Sequence, residues 1–134
     1  MNSNSARIPE KLLARTLHDG TGQPPRTDMV IEVADGRFSR VAPYVRGEHA
    51  ADLPEHAIVT PGLIDIQING ANDVQFNDTP TVEGLRDIAI GAERGGTAWI
   101  LPTFVTAPGQ NYRAAIEAAR AAIEAGVPGI LGLH

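Results

Sequence analysis

The 134-residue chain contains no cysteine. That absence excludes a disulfide framework, a thiolate nucleophile and a cysteine-ligated zinc site, and it makes the cytoplasm the expected location. No apolar run approaches the ~18–20 residues of a membrane span.

Eleven lysines and arginines against sixteen aspartates and glutamates give a net charge of −5. No basic block occurs, so neither nucleic acid nor an anionic membrane is an expected partner. The sequence also lacks a P-loop, a dinucleotide fingerprint and a G-x-S-x-G motif.

The part of the chain before residue 61 predicts short strands joined by turns. Met29–Ala34 and Arg37–Val41 are two β-prone runs separated by Asp35-Gly36. Asp-Gly supplies the positive φ that a two-residue hairpin turn requires, so this segment predicts a β-hairpin. Leu12–Leu17 predicts another strand, and Ile58-Val59 starts a further one.

From Pro61 onward the pattern changes to alternating strands and helices. Isoleucines at 64, 66 and 68 occupy one face of a predicted strand over residues 62–69, and we expect that face to pack against helices. Thr79-Pro80 predicts the start of a helix that Gly95-Gly96 ends. Thr97–Leu101 is a nearly continuous apolar run, typical of a parallel strand covered on both faces, and Trp99 is expected to be buried there.

A second helix and a third strand complete this pattern. The helix is predicted from an apolar stripe of Tyr112, Ile116, Ala119 and Ile123. Ile130–His134 begins the strand. The resulting β-α-β-α-β order implies right-handed crossovers and a parallel sheet, and therefore an α/β fold.

Ligands of parallel α/β proteins bind at the carboxyl ends of the strands. The candidate site residues are therefore Gln67 and Asn69, which share a face with Asp65, together with Thr103 and His134. The polar residues of the first strand form either a hydrogen-bonded ladder or the lining of a binding site. His134 suits a ligand, an acid-base group or a structural histidine.

Other polar residues of the chain have simpler interpretations. The amide- and acid-rich loop over residues 70–78 is predicted to form turns and helix caps, because the ligand spacing of an EF-hand is missing. His18, His49 and His56 occur in polar stretches at no ligand spacing, and we expect them to be solvated.

Several segments of the chain resemble a known family in the order in which that family carries them. These segments are Val59–Gly70, Val74–Asp78, Gly95–Thr97, Leu101–Thr106 and Gly129–His134. The first resembles the first barrel strand of the amidohydrolase superfamily and, more narrowly, that of the N-acetylglucosamine-6-phosphate deacetylase family. Most of the superfamily has His-x-His where this chain has Gln67-Ile68-Asn69, and Gln-x-Asn-Gly is typical of many of these deacetylases.

The resemblance implies a fold and a domain order. The fold would be α/β: the first two and a half βα units of a (β/α)8 TIM-like barrel, preceded by part of a small β-sandwich domain. Residues 1–11 would be a polar tail, residues 12–60 the N-terminal part of the β-domain and residues 61–134 the start of the hydrolase barrel. A complete barrel needs ~200 residues or more, so this chain is too short to hold one.

The resemblance also implies an activity, a cofactor and partners. The family uses a divalent, zinc-like metal to hydrolyse the acetamide of a phosphorylated amino sugar, and a homodimer is expected. Gln67, Asn69, Thr103 and His134 would line the site. Carboxamides are poor zinc ligands, so replacing His-x-His would favour a single-metal site.

In the family, the metal-binding glutamate follows two residues after the position of His134, and the remaining metal ligands and the catalytic aspartate come later. We therefore expect no catalytic residue and no metal ligand within this chain, and no catalysis by the chain alone. One alternative is a non-catalytic truncated remnant or assembly module. Another is a dihydroorotase or deaminase relative, against which the Gln-x-Asn-Gly sequence argues.

Overall fold

A computed structural model describes residues 9–48, 52–106, 109 and 111–134. These residues form two compact units, which meet in the sequence between Pro61 and Gly62. Most of the expected N-terminal tail, residues 1–8, lies outside the described residues, as does His49. His18 and His56 are exposed, as expected. Among the described residues, no helix is long and apolar enough to cross a membrane.

The first unit contains a four-stranded sheet in the order β3-β2-β1-β4. The antiparallel pairs are β1–β2 and β2–β3, and β4 pairs with β1 in parallel. The strands are β1 (Lys11–Leu17), β2 (Arg26–Ala34), β3 (Arg37–Pro43) and β4 (Glu55–Val59).

The turn between β2 and β3 confirms the predicted hairpin. Asp35 and Gly36 have φ values of 51° and 71°, and they connect the paired residues Ala34 and Arg37. Two successive left-handed residues make the turn whose twist matches that of the flanking strands. The strands expected at Leu12–Leu17 and Ile58-Val59 are also present, within β1 and β4.

This sheet carries an apolar cluster and a charged cluster. The apolar cluster is a small core of Ala14, Leu17, Met29 and Ile31. On the neighbouring position of β1, the Arg15 guanidinium donates to both Glu55 carboxylate oxygens at 2.6 and 2.8 Å and to the Asp28 carboxylate at 2.7 Å. This cluster therefore joins β1 to the strands on both of its sides.

The second unit combines a parallel strand pair, a small hairpin and two helices. β5 (Leu63–Ile68) and β8 (Thr97–Pro102) pair in parallel. Between them in the sequence lie β6 (Gly70–Ala71), β7 (Val74–Gln75) and α1 (Val82–Arg94), and α2 (Tyr112–Glu124) follows β8. Asn72 and Asp73 join β6 to β7 with φ values of 54° and 61°. The predicted turn-forming role is thus confirmed for these two residues of the loop.

Helix α1 begins slightly later than the sequence pattern indicated. The expected start was Thr79-Pro80, whereas the helix starts at Val82 with Thr81 as its N-cap. The Thr81 hydroxyl accepts from the Gly84 N–H at 3.1 Å, and this contact satisfies a donor that the first turn leaves unpaired. Gly95 ends the helix, as predicted.

The core of the second unit lies where α1 and α2 meet β8. Its fully buried residues include Phe76, Leu85, Ile88 and Ile100. The predicted stripe of α2 was wrong except at Ala119, because Tyr112, Ile116 and Ile123 are 51%, 52% and 46% exposed. Small alanines allow a helix to approach its neighbours closely, and α2 buries Ala115, Ala118, Ala119 and Ala122 instead.

The predicted burial of the first strand was also partly wrong. Ile68 packs against the core, but Ile64 and Ile66 are 58% and 66% exposed. The register between β5 and β8 shifts between Asp65 and Ile68, where the Asp65 carboxylate accepts from the Gln67 N–H at 2.9 Å. An extra residue in one strand breaks the regular alternation of side chains.

Two further expectations need correction. Trp99 is 44% exposed rather than buried; it lies opposite Ile64 in the strand pair. The third strand appears only as a bridge between Ile100 and Ile130, extended by individual hydrogen bonds as far as His134.

Candidate functional site

The carboxyl ends of β5 and β8 bring the first candidate residues together. Ile68 is opposite Pro102 in the register, and the Ile68 carbonyl accepts from the Thr103 N–H at 2.7 Å. Asn69 and Thr103 therefore both leave the strand pair at the same end.

His134 reaches this end through the segment that follows α2. The His134 N–H donates to the Pro102 carbonyl at 2.9 Å, and the Phe104 N–H donates to the His134 carbonyl at 3.0 Å. Such a pair of bonds, to the residues before and after Thr103, is the pattern by which parallel strands place two residues opposite each other. The backbone thus sets Thr103 and His134 side by side.

The side chains of these two residues are in contact. Thr103 Oγ1 lies 3.3 Å from His134 Nδ1. The threonine is 5% exposed and is the only polar residue in the buried core of the described residues, whereas the histidine is exposed. Thr103 Oγ1 also donates to the Leu101 carbonyl at 3.5 Å. The threonine therefore links the exposed imidazole to the backbone of the buried strand.

A shift in the register between the two segments places His134, rather than Leu133, opposite Thr103. Ile100 lies opposite Ile130, and the same spacing would place Leu133 opposite Thr103. One extra residue in the segment that contains Gly132 moves the pairing to His134. Side chains of extended chains alternate between faces, so a one-residue shift decides which side chain points to which face.

Gln67 and Asn69 lie at the same end of the second unit, and both are exposed. The backbone of Gln67 takes part in the irregularity at Asp65. The Asn69 carbonyl accepts from the Phe76 N–H at 2.9 Å, which fixes where the chain leaves β5. The side-chain amides of both residues face solvent and can bind polar groups of a ligand.

A further residue of this end was not identified from the sequence. Asn77 Nδ2 donates to the Val105 carbonyl at 2.7 Å, and Asn77 Oδ1 accepts from the Val105 N–H at 2.9 Å. These bonds tie the loop after β7 to the chain after β8, two residues beyond Thr103. The asparagine is part of a segment that resembles the family, but its amide-rich surroundings indicated only turns.

The described residues do not form a metal site by themselves. Across residues 9–48, 52–106, 109 and 111–134, no group of three or more histidines, cysteines, aspartates or glutamates is placed to hold a metal ion. Carboxamides such as those of Gln67 and Asn69 are weak ligands for zinc-like ions, whereas an imidazole such as that of His134 is a strong one.

A cavity of the second unit lies elsewhere. It has a volume of about 380 Å3 and is lined mainly by apolar side chains of α1 and of the segment before Ile130. Ala98, near the start of β8, also lines it. This cavity thus lies at the amino ends of the strands, away from Thr103 and His134, and the side-chain chemistry at the carboxyl ends identifies the candidate site.

The amino-acid sequence of the chain is similar to those of two curated proteins. The chain is 36% identical over 108 residues to N-acetylgalactosamine-6-phosphate deacetylase of Shewanella sp. (strain ANA-3), a match that covers 78% of the chain and 27% of that relative. It is 38% identical over 76 residues to N-acetylglucosamine-6-phosphate deacetylase of Haemophilus influenzae, covering 57% of the chain and 20% of the relative. The chain thus spans about a quarter of the length of these curated relatives. No protein-family model matches it.

A solved structure shows the same fold. The N-acetyl-D-glucosamine-6-phosphate deacetylase of Mycobacterium smegmatis matches with a TM-score of 0.75 and 24% identity, over 94% of this chain and 35% of that one. The family resemblance inferred from the motifs is confirmed by the curated relatives. Over most of its length, the chain is similar to a portion of the N-acetylhexosamine-6-phosphate deacetylases.

Proposed function

We propose that this chain supplies the N-terminal part of an enzyme that hydrolyses the acetamide of an N-acetylhexosamine 6-phosphate to acetate and the free amine. The observation that carries the proposal is the contact between Thr103 and His134 at the carboxyl ends of paired strands. In parallel α/β folds this end is where substrates bind. The similarity to two deacetylases of this kind supports the same reaction.

The proposed architecture is that of a partial barrel. β5, α1, β8, α2 and the segment from Ile130 to His134 would be the first two and a half βα units of a (β/α)8 barrel. Residues 12–60 would belong to a small β-sandwich domain and residues 61–134 to the barrel. The parallel pairing of β5 with β8, and of Ile100 with Ile130, supports this proposal.

The sugar specificity of the proposed enzyme is for a 2-acetamido sugar 6-phosphate. N-acetylglucosamine and N-acetylgalactosamine differ only in the orientation of the hydroxyl at C4, and the names of the two curated relatives divide between them. We propose N-acetylglucosamine 6-phosphate as the substrate, because Gln-x-Asn-Gly at residues 67–70 resembles the deacetylases of that sugar.

The residues of this chain would bind and orient the substrate. The exposed amides of Gln67 and Asn69 can donate to and accept from the sugar hydroxyls and the acetamide. His134 can exchange a hydrogen bond with the same ligand, while Thr103 holds the imidazole in place. The divalent metal that the family uses does not fit the described residues as a complete ligand set. We propose that most of its ligands belong to a later part of the protein.

A second candidate function is that of an assembly module without catalysis. Ile64 and Ile66 of β5 are more than half exposed, and apolar strands with an open edge tend to pair with other chains. The same exposure is expected where further barrel strands would cover β5. A homodimer and a cytoplasmic location remain predictions under the first proposal.

A chimera distinguishes these functions. Residues 9–134 would replace the matching segment of the Haemophilus influenzae relative, and acetate release would be measured with both N-acetylhexosamine 6-phosphates. The proposal predicts metal-dependent acetate release. A well-folded chimera without activity, as judged by circular dichroism and a cooperative melting transition, would contradict the proposal and favour the assembly module. The unaltered relative serves as the positive control.

A further inference from the structure

We propose that Thr103 is a positioning residue that holds His134 in its Nδ1–H tautomer, so that Nε2 presents a lone pair to the candidate site. A role of this tautomer in catalysis rests on the proposed function. Its structural content, a tautomer set by one hydroxyl group, can be tested without any turnover.

This inference rests on the number of hydrogen bonds that the Thr103 hydroxyl can donate and accept. A hydroxyl has one proton to donate and two lone pairs that accept. Thr103 Oγ1 lies 3.5 Å from the Leu101 carbonyl oxygen, which can only accept, and 3.3 Å from His134 Nδ1, which can accept or donate. Both contacts are hydrogen bonds only when the hydroxyl proton goes to the carbonyl and Nδ1 donates to a hydroxyl lone pair. We assign this arrangement, and in a neutral ring the proton on Nδ1 leaves Nε2 unprotonated.

The burial of Thr103 and the neighbouring backbone hydrogen bonds stabilise this arrangement of the hydroxyl and the imidazole. Thr103 is 5% exposed, so its hydroxyl has little access to water and depends on these two protein partners. Backbone bonds on both sides of the pair fix the separation of the two residues: His134 N–H to the Pro102 carbonyl at 2.9 Å and Phe104 N–H to the His134 carbonyl at 3.0 Å. The imidazole therefore needs no induced movement to make its contact.

An unprotonated Nε2 has a defined chemical use. It can accept a hydrogen bond from a sugar hydroxyl or from a water molecule, whereas the opposite tautomer would only donate there. The chain carries no other histidine in its second unit, so no neighbouring imidazole could replace His134 in this role.

Nitrogen NMR of the 134-residue chain tests the tautomer directly. At about pH 8.5 neutral imidazoles prevail, and two-bond nitrogen–proton correlations distinguish the protonated ring nitrogen from the bare one. His134→Gln assigns the signals by their loss. We expect the Nδ1–H form to be the major species, in contrast to the Nε2–H form that a free imidazole side chain prefers. A dominant Nε2–H form in the unaltered chain would overturn the inference.

A matched pair of substitutions isolates the hydroxyl. Thr103→Val keeps the shape and removes the hydroxyl, and Thr103→Ser keeps the hydroxyl. We expect the valine variant to reverse the majority tautomer and the serine variant to retain it. If both folded variants keep the Nδ1–H form, Thr103 does not set the tautomer and the inference fails. If the valine variant does not fold, the unaltered chain still tests the tautomer, and Thr103→Ala tests the hydroxyl in its place.

The effect of Thr103 on catalysis can be measured separately in an active chimera. Residues that orient a site group through a hydrogen bond typically contribute about 10–100-fold to activity. We expect Thr103→Val to lower kcat/KM in this range and Thr103→Ser to restore most of it. An inactive chimera with an unchanged Nδ1–H signal would refute the deacetylase proposal alone, whereas an active chimera that Thr103→Val leaves unaffected would refute the positioning role alone.

Discussion

Asn77 and Val105 are joined by a closed pair of hydrogen bonds in which the side-chain amide both donates to and accepts from one backbone residue, at 2.7 and 2.9 Å. The pair mimics one step of a β-ladder between two loops. It lies beside the strand end that carries Thr103, so it stabilises the loops that surround the candidate site.

Replacing Asn77 with alanine is expected to destabilise the second unit by about 1–2 kcal/mol, since a net contribution of about 1 kcal/mol per neutral hydrogen bond is typical. Urea unfolding followed by the fluorescence of Trp99, the single tryptophan, measures the change. Asn69→Ala makes the same substitution at an exposed asparagine and should stay within about 0.5 kcal/mol. Equal effects of the two substitutions would contradict the role assigned to Asn77.

The cluster around Arg15 predicts that the stability of the first unit decreases at acid pH. The guanidinium holds the pKa of Glu55 below its ordinary value of 4.5. A carboxylate with a lowered pKa in the folded state contributes stability above its unfolded pKa, and that contribution is lost as the pH falls through the lowered value. Amide exchange rates of β1 should therefore rise as the pH is lowered below about 4.5, after correction for intrinsic exchange.

Glu55→Gln should remove the part of this acid dependence that Glu55 causes. The variant is expected to exchange faster than the unaltered chain near neutral pH and to approach it in acid. The effect will be small and sensitive to salt, because both side chains of the pair are about half exposed. Glu117→Gln, at an exposed position of α2, is the control. A constant difference between Glu55→Gln and the unaltered chain at all pH values would exclude the linkage.

Gly91 of α1 is expected to respond unusually to alanine. Glycine to alanine inside a helix normally stabilises by about 1 kcal/mol. At this position a Cβ atom would lie 2.8 Å from the Ala71 Cβ and 2.8 Å from the Asn72 nitrogen, so the helix or the hairpin has to move. We expect Gly91→Ala to destabilise by about 1–3 kcal/mol in urea unfolding. Glu93→Ala on the same helix should be nearly neutral, and a stabilised Gly91→Ala variant would show that the contact is not restrictive.

The metal content of an active chimera should depend on Gln67 and Asn69. Conversion of both residues to histidine supplies two strong ligands where carboxamides stand, so a second equivalent of zinc-like metal is expected. Elemental analysis after removal of free metal gives the stoichiometry. The control is Gln67→Asn with Asn69→Gln, which keeps the carboxamides. Unchanged metal content in the histidine variant would disprove the idea that this pair limits the site to one metal.

The sequence predicted those elements whose signal is local. Asp35-Gly36 requires a particular turn chemistry, and the hairpin follows from it. Gly96, which directly follows the C-cap Gly95, has a φ of 88° and ends α1 for a similar local reason. These features depend on backbone preferences of a few neighbouring residues, which a single sequence displays directly.

The features that the sequence did not predict depend on contacts between distant residues. The expected burial of Ile64 and Ile66 failed because α1 packs against β8 rather than against β5, and the register against β8 also shifts between Asp65 and Ile68. The stripe of α2 failed at Ile116 because the helix packs through its alanines. Thr103 and His134 were each assigned to a strand end, but their direct contact depends on a pairing that neither segment reveals alone.

The extra residue between the Ile100–Ile130 and Thr103–His134 pairs makes the candidate site sensitive to chain length. Gly132 lies in this stretch, and a Cβ atom on it would approach Leu101 Cδ2 to 3.2 Å. Deletion of this glycine would remove the extra residue, and regular pairing from Ile100–Ile130 would still bring His134 beside Thr103. Insertion of one residue at this point, with the same irregularity, would instead bring the isobutyl group of Leu133 beside the Thr103 hydroxyl and move the imidazole one step along the chain. Gain of a single residue without any functional group would then remove the histidine from the site, while every polar side chain stayed in the sequence.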